Sequence, residues 1–144
     1  MRRILSISAL LLAGACSDPV GSGGVRVLPD QEIYATFGND QPVTIRYTVA
    51  NTGSGAIDVL ACEGRMTVEI QFREGADWVT YNVPVIPECG GSTAAVRVAP
   101  GSSAADSVVV QGIGTWRLRV PYRRQGTGGN TADSREFKTR VPLD

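Results

Sequence analysis

The sequence predicts an all-β domain: an antiparallel β-sandwich of about seven to nine short strands, preceded by a cleaved export leader. Three observations carry this expectation. Val, Thr, Ile and aromatic residues dominate the ordered-looking stretches, and no long run of Leu, Ala, Glu and Lys occurs after residue 15. Three segments alternate apolar and polar residues with a period of two. Gly (17 residues) and Pro (8 residues) are plentiful, and many fall in turn-forming stretches between such segments.

The N-terminus comes first in the chain. Arg2 and Arg3 precede an apolar run over residues 4–13, then Gly14, Ala15 and Cys16. A positive start, a short apolar block and small residues form the pattern of a secretion signal. The block is about half the roughly 20 residues that a membrane-spanning helix requires. Residues 1–15 are therefore expected to be a leader, residues 16–24 a tether and residues 25–144 one domain. The tether Ser17-Asp18-Pro19-Val20-Gly21-Ser22-Gly23-Gly24 is small, polar and Gly-rich. Such a chain spans roughly 15 Å on average.

From Val25 the period is two. Val43, Ile45, Tyr47 and Val49 share one face, opposite Thr44, Arg46 and Thr48. Met66, Val68, Ile70 and Phe72 form the apolar face of the second segment, and Trp116, Leu118, Val120 and Tyr122 that of the third. One wet face each signifies antiparallel strands that cover a core on one side. Weaker strands fit at 32–37, 57–61, 78–83, 94–98, 106–111 and 136–141. Phe37-Gly38-Asn39-Asp40, Asn51-Thr52-Gly53-Ser54-Gly55, Arg73-Glu74-Gly75-Ala76-Asp77 and Ala99-Pro100-Gly101-Ser102 supply reversals. Gly126-Thr127-Gly128-Gly129-Asn130 reads as a longer loop before the last strand. Two packed sheets bury one-sided strands, hence a sandwich.

Two resemblances follow from these residues. Leu11-Leu12-Ala13-Gly14-Ala15-Cys16 resembles the lipobox of bacterial lipoproteins, with Ala13 where Leu is commonest. It implies a thioether-linked diacylglycerol and an acylated amine on Cys16, and a place in the bacterial cell envelope facing the periplasm or exterior. Several acyl chains give stable anchoring. Ordinary secretion, with cleavage after Ala13 or Ala15, is the alternative. The run from Val43 through Asn51-Thr52-Gly53 resembles the early hairpin of bacterial immunoglobulin-like domains. Val98-Ala99-Pro100-Gly101-Ser102 followed by Gly114-Thr115-Trp116-Arg117-Leu118 is similar to their late strands. This likeness spans about residues 25–141 and implies an immunoglobulin-like sandwich, a fold that hosts many functions.

Charge and cysteines narrow the chemistry. Loss of Arg2 and Arg3 with the leader takes the basic residues from 14 to 12 against 14 acidic ones, a net of −2. That is no field for nucleic acid. Histidine is absent, which removes the commonest general base and transition-metal ligand. Cys62 and Cys89 in an exported chain are expected to form a disulfide. Its ring of about 28 residues is worth roughly 3–4 kcal/mol. A redox or metal pair is the alternative. Asp58, Glu63, Glu69, Glu74 and Asp77 are available for paired-carboxylate hydrolysis, but read as strand faces or turns. Asp30, Glu32, Asn39 and Asp40 lack the spacing of a calcium loop. Trp78, beside Asp77, reads as core or hairpin packing.

Trp116 and Tyr122 alternate with Arg117 and Arg119, so the aromatics are expected in the core and the arginines on a solvated face. Arg117, Arg119, Arg123 and Arg124 are the candidate surface contact for anionic lipid or polysaccharide. The expected protein is a non-enzymatic, monomeric binding or structural domain held to a membrane through Cys16. No cofactor, metal or nucleic acid is expected, and a protein or polysaccharide is the expected envelope partner. The alternative is a protease inhibitor presenting residues 82–91 as a loop.

Overall fold

The computed structural model describes residues 22–81, 94–125 and 127–142. After a short 3-10 turn at Ser22–Gly24 come β1 (Val25–Pro29), β2 (Ile33–Ala35), β3 (Pro42–Asn51), β4 (Ile57–Cys62), β5 (Arg65–Met66) and β6 (Glu69–Glu74). They are followed by β7 (Asp77–Thr80), β8 (Ala94–Val98), β9 (Ser103–Gln111), β10 (Gly114–Arg124), β11 (Gly129–Asp133) and β12 (Phe137–Arg140). The small sheet has the order β1-β3-β9, and the other nine strands form the large sheet.

β10 is the spine of the large sheet. On one edge it pairs with β12 through Gly114–Trp116 and with β11 through Arg119–Arg123. On the other it pairs with β6 through Trp116–Arg119 and with β4 through Tyr122–Arg124. Between β11 and β12 the chain bulges: Ser134, Arg135 and Glu136 oppose only Arg117 and Leu118. The extra residue changes the phase of the alternation. Ala132 and Phe137 consequently both face the core, at 2% and 1% exposure. The Ser134 hydroxyl accepts from the Leu118 N–H at 2.9 Å and donates to the Arg135 carbonyl at 2.7 Å. It fills the gap the bulge opens in the ladder.

The all-β sandwich is the architecture expected. Its twelve described strands exceed the seven to nine expected because β1 and β11 form where the sequence predicts no strand and one expected segment divides. The chain crosses between sheets after β1, which pairs with β3, whereas β2 pairs with β12. The segment over 66–73 divides into β5 and β6 around Thr67 and Val68, yet its apolar phase holds, with Met66, Val68 and Ile70 buried. One pairing is parallel, β2 with β12. The expected loop over 126–130 ends in a strand, because Gly129 and Asn130 already pair with Arg123 and Tyr122.

The core is filled from both sheets. Ile45, Tyr47 and Val49 of β3 meet Trp116, Leu118, Val120 and Tyr122 of β10, all buried. Phe72 and Tyr81 pack on Trp116 with ring centroids 4.8 and 5.1 Å away. The indole N–H donates to the Thr139 hydroxyl at 2.9 Å, which itself donates to the Gly112 carbonyl. A side chain at Gly114 would begin 2.2 Å from the Phe72 ring, so only glycine lets β10 start against it.

The N-terminal pole is tied together by Asn51, which is 1% exposed. Its amide donates to the carbonyls of Gly55 (2.8 Å) and Val98 (3.1 Å) and accepts from the Gly53 N–H at 3.1 Å. Its backbone bonds to Ser102 and Gly101. Thr52 donates its N–H to the Gly24 carbonyl at 2.6 Å. Gly24 has φ +82°, and a Cβ there would lie 2.8 Å from the Gly53 nitrogen. Asn51 thus joins turn 51–55 to turn 99–102, and Ser22–Gly24 lie against that corner. Asn51→Ala strands buried carbonyls and an N–H, and is expected to cost about 2–4 kcal/mol in urea unfolding. A change under about 0.5 kcal/mol would show that the corner does not depend on it.

Candidate functional site

The outer face of the large sheet carries the residues picked out by charge. On β10 the side chains alternate as the sequence requires: Trp116 and Tyr122 are buried at 1% and 3% exposure. Arg117 and Arg119 point the other way. They are not free in solvent. Arg119 donates Nε to Asp133 Oδ1 at 2.7 Å and Nη2 to Oδ2 at 3.1 Å. Arg117 reaches the same carboxylate at 3.2 Å and donates Nε to Gln71 Oε1 at 2.6 Å. The Arg117 and Asp133 side chains are only 19% and 23% exposed.

The brace extends across β6 to the edge strand β7. Trp78 lies on this outer face opposite Arg73 in the hairpin. The Arg117 guanidinium stands 4.5 Å from its ring centroid and that of Arg73 5.8 Å. These are cation–π contacts. Trp78 therefore packs within its hairpin and onto β10, and not in the core. Gln71, on the polar phase of β6, is nonetheless buried at 4% exposure. Its amide donates to Glu69, which also accepts from the Thr80 hydroxyl, both at 2.7 Å. The Asp133 carboxyl is held below its usual range, chiefly by the Arg119 hydrogen bond, and that bond raises Arg119 in turn.

The remaining two arginines separate. Arg123 is exposed and lies opposite Asp58 of β4. Arg124 falls on the inner phase, over the Tyr122 ring and against Gly23 and Gly53. Its Nε and Nη2 are buried and have no hydrogen-bond partner. The four arginines are thus a braced pair, an exposed residue and a half-buried one.

A second polar clasp closes the side of the sandwich at β9. Asp106 bonds to Arg65 Nε at 2.7 Å, to the Met66 N–H at 2.7 Å and to the Ser107 N–H. Arg65 also donates to the Ser107 carbonyl. Strand edges with unpaired groups invite association, and this clasp occupies part of one. The Tyr47 hydroxyl lies behind it without a partner, and burial, then the Asp106 charge, pushes its phenol well above the usual range. The Tyr34 hydroxyl donates to Asp30 at 2.5 Å; burial and that bond push it up to about 12.

The carboxylates considered for hydrolysis do not gather. Asp58 lies on β4 beside Arg97, Glu63 in the β4–β5 turn, Glu69 and Glu74 at opposite ends of β6, and Asp77 at the start of β7. The calcium candidates are engaged otherwise: Asp30 with Tyr34, Glu32 with Arg135, and Asp40 through its carbonyl with Gln111. Among the described residues no group of three or more His, Cys, Asp or Glu could hold a metal. No described helix is long and apolar enough to cross a membrane. Cys62 is buried at the end of β4 and is not without a partner. Cys16, Cys89 and the loop over 82–91 lie outside the described residues.

Asp133 is the residue that sequence reasoning missed. It lies between the loop expected over 126–130 and the strand expected over 136–141, where the sequence predicts no element. Only the β10–β11 register places it against Arg119.

No protein-family model matches the chain, and no curated protein is similar to it. Among solved structures, it is similar to a Bordetella pertussis protein given the name ApaA, at 18% identity over 83% of this chain and 92% of that one, with a TM-score of 0.46. It is also similar to a PapD-like domain of human CEP192, at 10% identity over 99% of each chain, with a TM-score of 0.41.

The brace is titratable. Because Asp133 is lowered in the fold, its contribution to stability is present above the unfolded carboxylate value of about 3.9. It is lost as pH falls through the lower folded value. The stability gap between wild type and Asp133→Asn, measured by urea unfolding, is expected to be widest near neutrality and to shrink below about pH 4. A gap that stays constant down to the acid limit would contradict the pairing.

Proposed function

We propose that this chain is a non-catalytic envelope lipoprotein: an immunoglobulin-like domain held to a membrane through lipid on Cys16, with recognition at the pole away from the anchor. A Cys62–Cys89 disulfide would fix the end of β4 to the segment that follows β7. One observation carries the binding reading. At the pole opposite Ser22–Gly24, three loops meet. Thr36 donates its N–H to the Arg140 carbonyl, Gln111 donates its amide to the Asp40 carbonyl, and Thr139 donates its hydroxyl to the Gly112 carbonyl. Each loop exposes a large apolar residue: Phe37 at 79%, Ile113 at 41% and Val141 at 47%. Solitary exposed apolar residues are ordinary, but several on converging loops mark an interaction surface. The partner class is an envelope protein or polysaccharide.

Metabolic labelling with a palmitate analogue tests the anchor. Wild type is expected to be labelled and Cys16→Ser unlabelled; unlabelled wild type would remove the anchor. A photocrosslinking amino acid at position 37, in intact cells, tests the recognition pole. A discrete adduct is expected from position 37 and none from position 80 on β7. Equal adducts from both positions, or none from either, would remove it.

A further inference from the structure

We infer that the N-terminal pole is a membrane-contacting surface, which sets Arg97, Arg123 and Arg124 against anionic lipid headgroups. The inference rests on the proposed lipid at Cys16 and adds an orientation to it. Its first support is where the chain enters the domain. Ser22–Gly24 lie against turn 51–55, beside the ends of β4, β8 and β10. Only five residues, Ser17 to Gly21, and so six Cα–Cα steps, separate Cys16 from Ser22. By the random-coil estimate they span about 14 Å, so this pole cannot stand far from the bilayer surface. Surface potentials decay over about 8–10 Å, which places the pole within reach.

The second support is charge. Among the described residues, this end of the sandwich carries Arg97, Arg123 and Arg124 against one carboxylate, Asp58. Asp58 lies between Arg97 and Arg123 in the strand register, and its contact with Arg97 is long, at 4.0 Å. One carboxylate cannot neutralise both neighbours. At the opposite pole acids and bases mix: Glu74, Asp77 and Glu136 stand with Arg73 and Lys138. The chain as a whole is near neutral, so the excess is local.

The third support is Arg124. Its guanidinium approaches the Cβ positions of Gly23 and Gly53 to 3.2 Å. Two of its nitrogens have no acceptor among the described residues. Side chains at both glycines would crowd it. The corner keeps a cation beside Ser22–Gly24, and no described carboxylate pairs with it. An uncompensated cation at this corner suits an anionic surface beside it, which acts on its charge through the field and not by contact with the buried nitrogens. Arg117 and Arg119 play no part, since Asp133 and Gln71 already hold them.

The test uses the full chain carrying Cys16→Ser, so that lipid does not mask the protein's own affinity. Co-sedimentation is measured with vesicles of equal parts phosphatidylglycerol and phosphatidylcholine, and with phosphatidylcholine alone. Binding to the mixed vesicles only is expected, falling with added salt. R97Q/R123Q, at exposed positions that do not threaten folding, is expected to weaken it more than about tenfold, near fivefold per arginine. R124Q adds a further loss. R73Q/K138Q, at the far pole, leaves binding unchanged. No preference for the anionic vesicles would overturn the inference, as would an equal loss from the far-pole pair. The labelling experiment reports the anchor separately: labelled wild type with no anionic preference sinks the orientation and spares the lipoprotein reading.

Discussion

The two-sided pairing of β10 is the constraint on which the rest of the structure depends. One strand bonds on one edge to β12 and β11, and on the other to β6 and β4. Because successive side chains point to opposite faces, this strand assigns one row to the core and one to the surface at once. Trp116, Leu118, Val120 and Tyr122 fill the inner layer. Arg117 and Arg119 occupy the outer one. A one-residue slip would exchange the rows and bury two arginines. The register is thus held by the cost of desolvating charge as well as by burial of apolar surface.

Holding β10 between four partners has consequences at both ends. At its start, Gly114 admits the Phe72 ring, and Thr139 collects the Trp116 N–H and the Gly112 carbonyl. At its finish, Tyr122–Arg124 bond to β4 and bring Arg124 to the glycine corner. The outer face spends its charge internally. Arg117, Arg119 and Asp133 form a partly screened cluster, worth more as a network than as separate surface pairs. At the N-terminal pole Arg97 and Arg123 share the single carboxylate Asp58, and at the other Phe37, Ile113 and Val141 are exposed.

What the sequence made legible was phase. The alternations over 43–49 and 115–122 name the core-facing residues of β3 and β10 correctly, with Val43 half-buried, since each is a single uninterrupted strand. The strand over 66–73 kept its apolar phase across a break. What stayed hidden depends on register between distant segments. The Ser134 bulge shifts the phase of the last strands, so Ala132 and Phe137 share a face that no uniform alternation would give them. Asp133 carries no motif, and its role exists only opposite Arg119. Arg124 stands next to Arg123 in sequence but on the other face, so grouping the arginines by proximity joined residues that the strand separates. Trp78 looked like packing and is packing, though onto arginine and not into the core.

Native-state hydrogen exchange of the backbone amides tests the central role of β10 most directly. Strands paired on both edges open only with the whole domain, whereas edge strands open locally. Amides of Trp116, Leu118 and Val120 are predicted to exchange at the rate set by global unfolding, and those of β2, β7 and β8 much faster. Exchange in β10 as fast as in β7, under conditions where β3 stays protected, would contradict the account.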